Sequence, residues 1–307
     1  MAVKPWQTIW QEYRSPLRRH EAWHGILFAG PWIIGFLAFV AGPFLASFIL
    51  SFTSYKVGMD SRWIGLQNYH EMFFKDPLFW KSLYNTGYYV FFAVPLGVLG
   101  SLLLALLMNQ KVRGIPIFRT MVYVPSIVSG VAVAYLWMWL LDPNIGLVNY
   151  VLRSLHLPAP LWVQSETWAK PALILVSLYG IGGGTMVIFL AGLQNIPESL
   201  YEAAELDGAG RWRKFLNITL PMLSPIILFN FVVGIIGSFQ VFTQAYVMTR
   251  GGPANATMFF VLYLYNVAFW YGRMGYGSAL AWILFLIILA FTIVQLKLSN
   301  RWVYYEE

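Results

Sequence analysis

The chain has 307 residues, of which 59% are hydrophobic and only 11% are charged. An average soluble domain carries about 25% charged residues, so this composition indicates a protein embedded in a lipid bilayer. The absence of cysteine excludes disulfides, thiol nucleophiles and thiolate metal sites. The net charge of +7 does not indicate nucleic-acid binding, because the basic residues are scattered over the loops between apolar segments.

Six apolar segments are long enough to cross the hydrocarbon core as helices, which takes roughly 20 residues each. The predicted spans are residues 26–52, 83–108, 117–141, 172–193, 220–247 and 276–296. A further apolar segment, residues 258–270, is too short to cross and is interpreted as re-entrant or interfacial. The sequence therefore predicts an all-α integral membrane protein with six transmembrane helices.

The distribution of Lys and Arg predicts the orientation, because these residues concentrate on the cytoplasmic side. The N-terminal arm, the loops after the second and fourth spans and the tail hold twelve of them, against eight in the other loops. We therefore expect both termini in the cytoplasm. The expected division is a cytoplasmic arm (1–24), the first span with its external loop (25–82), the core of the transmembrane domain (83–298) and a cytoplasmic tail (299–307).

Proline and glycine interrupt several predicted spans. Four prolines each remove a backbone hydrogen bond, which a membrane tolerates where neighbouring groups compensate: Pro43, Pro95, Pro125 and Pro225. Kinked helices that face a cavity are one expected outcome. In the fourth span, the run from Gly180 to Gly184 weakens a helix by roughly 1 kcal/mol per glycine relative to alanine. Gly180 and Gly184 are interpreted as a small-residue contact with another helix; the alternative is space for a substrate beside exposed backbone.

The loop between the fourth and fifth spans, residues 195–219, contains the charged segment Glu202-Ala203-Ala204. Ser199 and Glu202 have the spacing of a capping box, so a short helix is expected to begin between 195 and 199. Gly208 can adopt the left-handed conformation that ends a helix, and a second short helix is expected after it. The loop then either docks into a groove on a partner protein or simply connects two membrane helices.

The spacing of this loop resembles the EAA signature of permease subunits from bacterial and archaeal ABC importers. The matching residues are Glu202, Ala203, Ala204, Gly208, Ile218, Leu220 and Pro221. Other stretches resemble the carbohydrate branch of that family, which includes maltose, glycerol-3-phosphate and oligosaccharide permeases: residues 64–69, 76–80, 85–86 and 249–253. The resemblance implies a type I ABC importer fold, with a cytoplasmic coupling helix between transmembrane helices 4 and 5.

The resemblance also implies a set of partners in the cytoplasmic membrane of a bacterium or archaeon. Two homologous permeases, expected to be different chains, form the pore; two ATPase subunits bind the cytoplasmic face, and an extracytoplasmic binding protein delivers a sugar or oligosaccharide. The chain has no glycine-rich phosphate loop, so ATP and Mg²⁺ are expected on the ATPase, with no cofactor and no enzymatic activity in this chain. The implied ATPase-coupling residues are Glu202, Ala203, Ala204, Asp207, Gly208, Leu220 and Pro221.

A sugar site near the bilayer midplane needs hydroxyl-pairing groups and aromatic faces. In the family that the chain resembles, the fifth span helps to line this site. The candidates for the substrate pathway are Ser238, Phe239, Gln240, Asn230, Gln244, Tyr179 and Gly184. Polar side chains of this kind also form hydrogen bonds between membrane helices without any ligand, and both interpretations stay open.

Two other classes of protein are less consistent with the sequence. A secondary carrier is expected to show an internal repeat and an intramembrane charge for ion coupling, whereas the predicted span interiors hold essentially no charged residue. A membrane enzyme needs a reactive constellation of side chains, and no catalytic or metal site is expected from this sequence. Within the importer class, glycerol-3-phosphate or another polar solute is the alternative to a sugar.

Overall fold

The computed structural model describes residues 16–304, which form helices and connecting loops with one isolated β-bridge between Thr53 and Trp63. The helices are α1 (Pro16–Phe36), α2 (Gly42–Leu50), α3 (Gln67–Phe74), α4 (Pro77–Met108), α5 (Ile115–Tyr123), α6 (Gly130–Leu140), α7 (Leu147–Ser154), α8 (Ala169–Ser177), α9 (Gly184–Asn195), α10 (Glu198–Leu206), α11 (Arg211–Lys214), α12 (Leu220–Met222), α13 (Ser224–Phe239), α14 (Thr243–Met248), α15 (Phe260–Tyr265) and α16 (Met274–Ser299).

Four helical stretches of the described chain are long and apolar enough to cross a membrane unaided: Trp23–Leu50, Pro77–Met108, Ser224–Met248 and Met274–Ser299. Two helix pairs add a fifth and a sixth span if each bent pair is counted as one: Ile115–Ile127 with Gly130–Leu140, and Ala169–Gly182 with Gly184–Asn195. The predicted all-α membrane fold is confirmed. The first helix begins at Pro16, within the predicted arm, and residues 1–15 lie outside the described residues.

The third predicted span is bent at the proline that removes one of its backbone hydrogen bonds. Its two halves meet at an angle of 96°. Pro125 lies in the 3₁₀ turn Val124–Ile127, and the next two residues have extended backbone, so the helical hydrogen-bond ladder stops there. Hydropathy reports the length of an apolar segment but not its direction, so the sequence marks the weakened position at Pro125 and not the bend angle.

The fourth span bends by 45° at its glycine run. The expected contact at Gly180 and Gly184 is not formed, because a Cβ at either position would meet no atom within 4 Å. The close approach occurs instead at Gly182, where a Cβ would lie 2.3 Å from the carbonyl oxygen of Val122. The third and fourth spans therefore pack against each other where each of them is broken.

Helix α4 is the central packing element, in contact with α8, α9, α13 and α15. The Asp76 carboxylate caps its first turn by accepting the backbone N–H groups of Leu78 at 2.9 Å and Phe79 at 3.2 Å. The same carboxylate accepts the phenol hydroxyls of Tyr263 and Tyr276. One side chain thus joins the start of the second span to α15 and α16.

A second set of contacts joins α4 to the loop before α15. The Asn85 amide donates to the carbonyl oxygens of Asn255 at 2.9 Å and Met258 at 3.2 Å. The Thr86 hydroxyl accepts the N–H of Phe260 at 2.9 Å. The Asn-Thr pair of the second span, which contributes to the family resemblance, therefore holds the loop after the fifth span. That loop leads into Phe260–Trp270, which is shorter than a span, as predicted.

Candidate functional site

A cavity of about 200 Å³ lies between α4, the bend of the fourth span and α13. Helix α4 presents Tyr89, Ala93, Gly97 and Ser101, which are four residues apart and therefore share one helix face. The other lining residues are Val94, Val98, Ser177, Gly180, Ile181, Thr185, Asn230, Gly234 and Ser238. The wall is uncharged and combines small residues with hydroxyl and amide groups.

Some polar groups of the cavity are already paired within the chain. The hydroxyls of Ser101 and Ser177 donate to the carbonyl oxygens of Ile181 at 2.8 Å and Ile174 at 2.6 Å. By contrast, the hydroxyls of the lining residues Ser238 and Thr185 take part in no side-chain hydrogen bond within residues 16–304. These two hydroxyls are available to a molecule in the cavity.

Two of the seven predicted pathway residues line this cavity, and they are Asn230 and Ser238. Gln244 lies beside it, with its Oε1 accepting from the Tyr89 hydroxyl at 3.5 Å. Gly184 is adjacent to the lining residue Thr185 and leaves open space around its own Cα. The fifth span and the glycine run of the fourth thus meet at one cavity.

The other three candidates do not line it. Phe239 is 2% exposed, and its ring packs 5.3 Å from the ring of Phe291 on α16. Successive helical residues point about 100° apart, so Phe239 cannot share the direction of Ser238. Tyr179 packs edge-on against Trp137 at 6.3 Å, and Gln240 is exposed just beyond the end of α13.

Sequence reasoning missed the contribution of the second span, which supplies the longest wall of the cavity. The available signal was the four-residue repeat of Tyr89, Ala93, Gly97 and Ser101, which places small and polar residues on one face of an otherwise apolar helix. Such a stripe is equally typical of close helix packing, so the sequence alone does not mark it as a cavity wall.

The loop of residues 195–219 folds largely as predicted. Helix α10 begins at Glu198, inside the expected window, and Gly208 follows its end with a φ of +76°. The N–H groups of Gly208 and Ala209 bond to the carbonyl oxygens of Glu205 and Ala204, which is the Schellman arrangement of a helix C-terminus. The expected capping box is absent because Pro197, not Ser199, occupies the N-cap position.

The outward face of this loop carries an unusually large apolar surface. Leu206 is 91% exposed and Trp212 is 75% exposed. Glu202, Ala203, Asp207 and Gly208 are also exposed, whereas Ala204, Leu220 and Pro221 are half-buried. Leu220 and Pro221 lie in α12, where the loop joins the fifth span. An exposed leucine and tryptophan beside charged groups are typical of a protein interaction surface.

The inward side of the loop is tied to the transmembrane core. The Tyr201 hydroxyl bonds to the Thr219 hydroxyl at 2.9 Å, and Lys214 pairs with Glu205 at 2.5 Å. Lys111 pairs with Glu198 at 2.7 Å across a groove beside the loop, which lowers the pKa of the Glu198 carboxyl and raises that of the Lys111 ammonium. These contacts link α10 to the ends of the second and fifth spans.

Residues 79–304 match the family described as "Binding-protein-dependent transport system inner membrane component". The chain belongs to this family. The permease is 45% identical to the probable ABC transporter permease protein YesP of Bacillus subtilis, with 92% of each chain covered. It is 35% identical to the lactose transport system permease protein LacF of Rhizobium radiobacter, covering 92% of this permease and 96% of LacF.

A solved structure confirms the architecture. The permease superposes with a TM-score of 0.81 and 25% identity on a chain of a bacterial ABC transporter that imports the acidic polysaccharide alginate, and the match covers 96% and 99% of the two chains. The permease is therefore a multi-pass membrane subunit of an ABC importer with the type I fold. It is a transport subunit.

Proposed function

We propose that this permease forms one half of a translocation pathway for a sugar or oligosaccharide. The observation that carries the proposal is the uncharged cavity between the second, fourth and fifth spans, with the free hydroxyls of Ser238 and Thr185 facing it. Hydroxyl and amide groups in a low-dielectric wall suit a polyhydroxylated solute, which can exchange hydrogen bonds with them. Relatives with 34%, 35% and 32% identity are named for arabinooligosaccharides, lactose, and trehalose/maltose.

We infer that transport is driven by a separate ATPase that docks on the loop of residues 195–219. The exposed Leu206 and Trp212 support this, because burying them against a partner removes apolar surface from water. Glu202, Ala203 and Asp207 surround the same face, while Leu220 and Pro221 connect it to the fifth span. In this proposal the ATPase binds ATP and Mg²⁺. The loop and both termini of the permease lie on the cytoplasmic side.

The remaining partners follow from the same proposal. In this proposal a second homologous permease, a different chain, forms the other half of the pore. An extracytoplasmic binding protein supplies the saccharide, in agreement with the description of the family. Lipid surrounds the apolar outer faces of the spans, in the cytoplasmic membrane of a bacterium or archaeon.

A Ser238→Leu permease tests the assignment of the cavity. Leucine removes an unpaired hydroxyl and fills part of the cavity, so uptake of the saccharide is expected to fall about tenfold. The measurement is the initial rate of saccharide uptake by proteoliposomes that contain the assembled transporter. Val233→Leu is the matched control, since Val233 lies on the same helix and is 51% exposed on its outer surface. Unchanged uptake by the Ser238 variant removes this cavity from the pathway.

A further inference from the structure

A positively charged side chain lies at the end of the fourth span opposite to the ATPase-coupling loop. Lys170 is in the first turn of α8 and is half-buried. Its ammonium donates to Oδ1 of Asn85 at 3.0 Å and lies 5.2 Å and 5.3 Å from the ring centres of Tyr84 and Tyr88. All three partners are on α4, so this single cation joins the outer ends of the second and fourth spans.

No carboxylate balances this charge within the described chain. None of the ion pairs formed by residues 16–304 includes Lys170, and Glu166, four residues earlier, is exposed without an ion pair to it. The position also opposes the helix dipole, since the amino-terminal end of a helix repels a cation. Charge pairing and helix stabilisation therefore do not explain a lysine at this place.

A second cation faces the same region. Lys81 is exposed in the second turn of α4, three and four residues before Tyr84 and Asn85, so it lies on the same helix face. It also forms no ion pair within residues 16–304. We call Lys81, Tyr84, Asn85, Tyr88 and Lys170 the basic mouth. Its two ammonium groups and the amino-terminal ends of two helices combine into a local positive potential.

The basic mouth lies one helical turn from the wall of the cavity. Asn85 and Tyr89 are four residues apart on the same face of α4, and Tyr89 begins the stripe that forms the cavity wall. Tyr84 is 63% exposed, and Lys81, one turn before it, is exposed as well. A solute that approaches the cavity along this face of α4 passes Lys81 and Tyr84 before it reaches Tyr89.

We propose that the basic mouth binds saccharides that carry a carboxylate, such as oligosaccharides of uronic acids. The carboxylate pairs with the ammonium groups of Lys170 and Lys81, while the apolar face of the sugar ring stacks on Tyr84. A neutral saccharide offers no partner for these cations. This inference rests on the proposed function and assigns a substrate class to the outer end of the same pathway.

The experiment compares trigalacturonate with maltotriose in proteoliposomes that contain the full transporter with its binding protein. Wild-type permease is expected to import trigalacturonate. Lys170→Met keeps the length of the side chain without its charge and is expected to lower this uptake about tenfold, the loss of one charge-assisted hydrogen bond. Lys170→Arg is expected to remain within about threefold of wild type, because the charge is retained. Lys56→Met is the matched control, since Lys56 lies beside Glu71 and Arg273 instead.

The outcomes separate the two proposals. Two results overturn the basic mouth as a carboxylate site: import of maltotriose but not trigalacturonate, and uptake of trigalacturonate by Lys170→Met at the wild-type rate. Neither result contradicts the proposed function of the chain as a sugar permease. The proposed function itself is contradicted if the transporter imports neither of these saccharides nor the arabinooligosaccharides, lactose and trehalose for which relatives are named. Vesicles with and without phosphatidylglycerol supply the last comparison. If Lys170→Met lowers trigalacturonate uptake tenfold in both kinds of vesicle, the lysines bind the saccharide. If uptake falls only in the vesicles that contain phosphatidylglycerol, the lysines bind lipid headgroups, and the proposal is overturned.

Discussion

A Glu202→Lys permease is expected to insert into the membrane at the wild-type level and to import no substrate. Glu202 is exposed on α10 and forms no ion pair within residues 16–304, so reversing its charge changes the stability of the isolated fold by no more than about 0.5 kcal/mol. In a docked complex the same reversal places a cation where a partner receives a carboxylate, at a cost of about 2–5 kcal/mol. The measurements are saccharide uptake, the ATPase rate and co-purification of the ATPase.

The matched control is Glu198→Lys, a charge reversal one turn earlier on the same helix. Glu198 pairs with Lys111 and lines the inner groove, whereas Glu202 does not line that groove. Its reversal is expected to leave most of the uptake intact, because an ion pair between two fully exposed side chains contributes little to stability. Normal uptake by the Glu202 variant would remove the loop from the coupling mechanism.

The second large effect is expected at the contact between the two broken spans. A Gly182→Ala permease is expected to lose about 3 kcal/mol of stability, because the added Cβ meets the backbone carbonyl of Val122 at 2.3 Å. A backbone atom cannot rotate away as a side chain can, so the two bends must separate. Uptake is also expected to fall, since Gly180 and Ile181 in the same 3₁₀ turn line the cavity.

Gly184→Ala provides the control for this prediction. The substitution is chemically identical and lies two residues away, but its Cβ would have no atom within 4 Å. The measurement is the thermal unfolding midpoint of each purified permease, together with uptake by the assembled transporter. Equal midpoints for the Gly182 variant and the wild type would show that the two spans do not pack through this glycine.

Local signals in the sequence predicted local structure well. Apolar length located the membrane segments, and Gly208 marked the end of α10 because only glycine enters the left-handed region without strain. The angles of the two bends were not predicted. Pro125 and the run from Gly180 to Gly184 showed that the third and fourth spans were weak as helices, but the bend angles depend on how the two segments pack against each other.

The candidate site was predictable only in part, for a similar reason. The fifth span was expected to contribute Ser238, Asn230 and Phe239. The first two line the cavity, whereas Phe239, about 100° further around α13, packs against Phe291. The wall formed by α4 depends on contacts between helices distant in sequence. Asp76, for example, meets Tyr263 and Tyr276 across 187 and 200 residues, and no local pattern encodes such a pairing.

The most direct test of the account is the energy source of uptake. Proteoliposomes that contain this permease, its partner permease, the ATPase and the binding protein are loaded with ATP, and saccharide uptake is measured with and without an ionophore. We predict uptake that requires both ATP and the ATPase and that persists when the ion gradient is collapsed. Uptake by the permease alone, driven by an ion gradient without ATP, would contradict the account and indicate a secondary carrier.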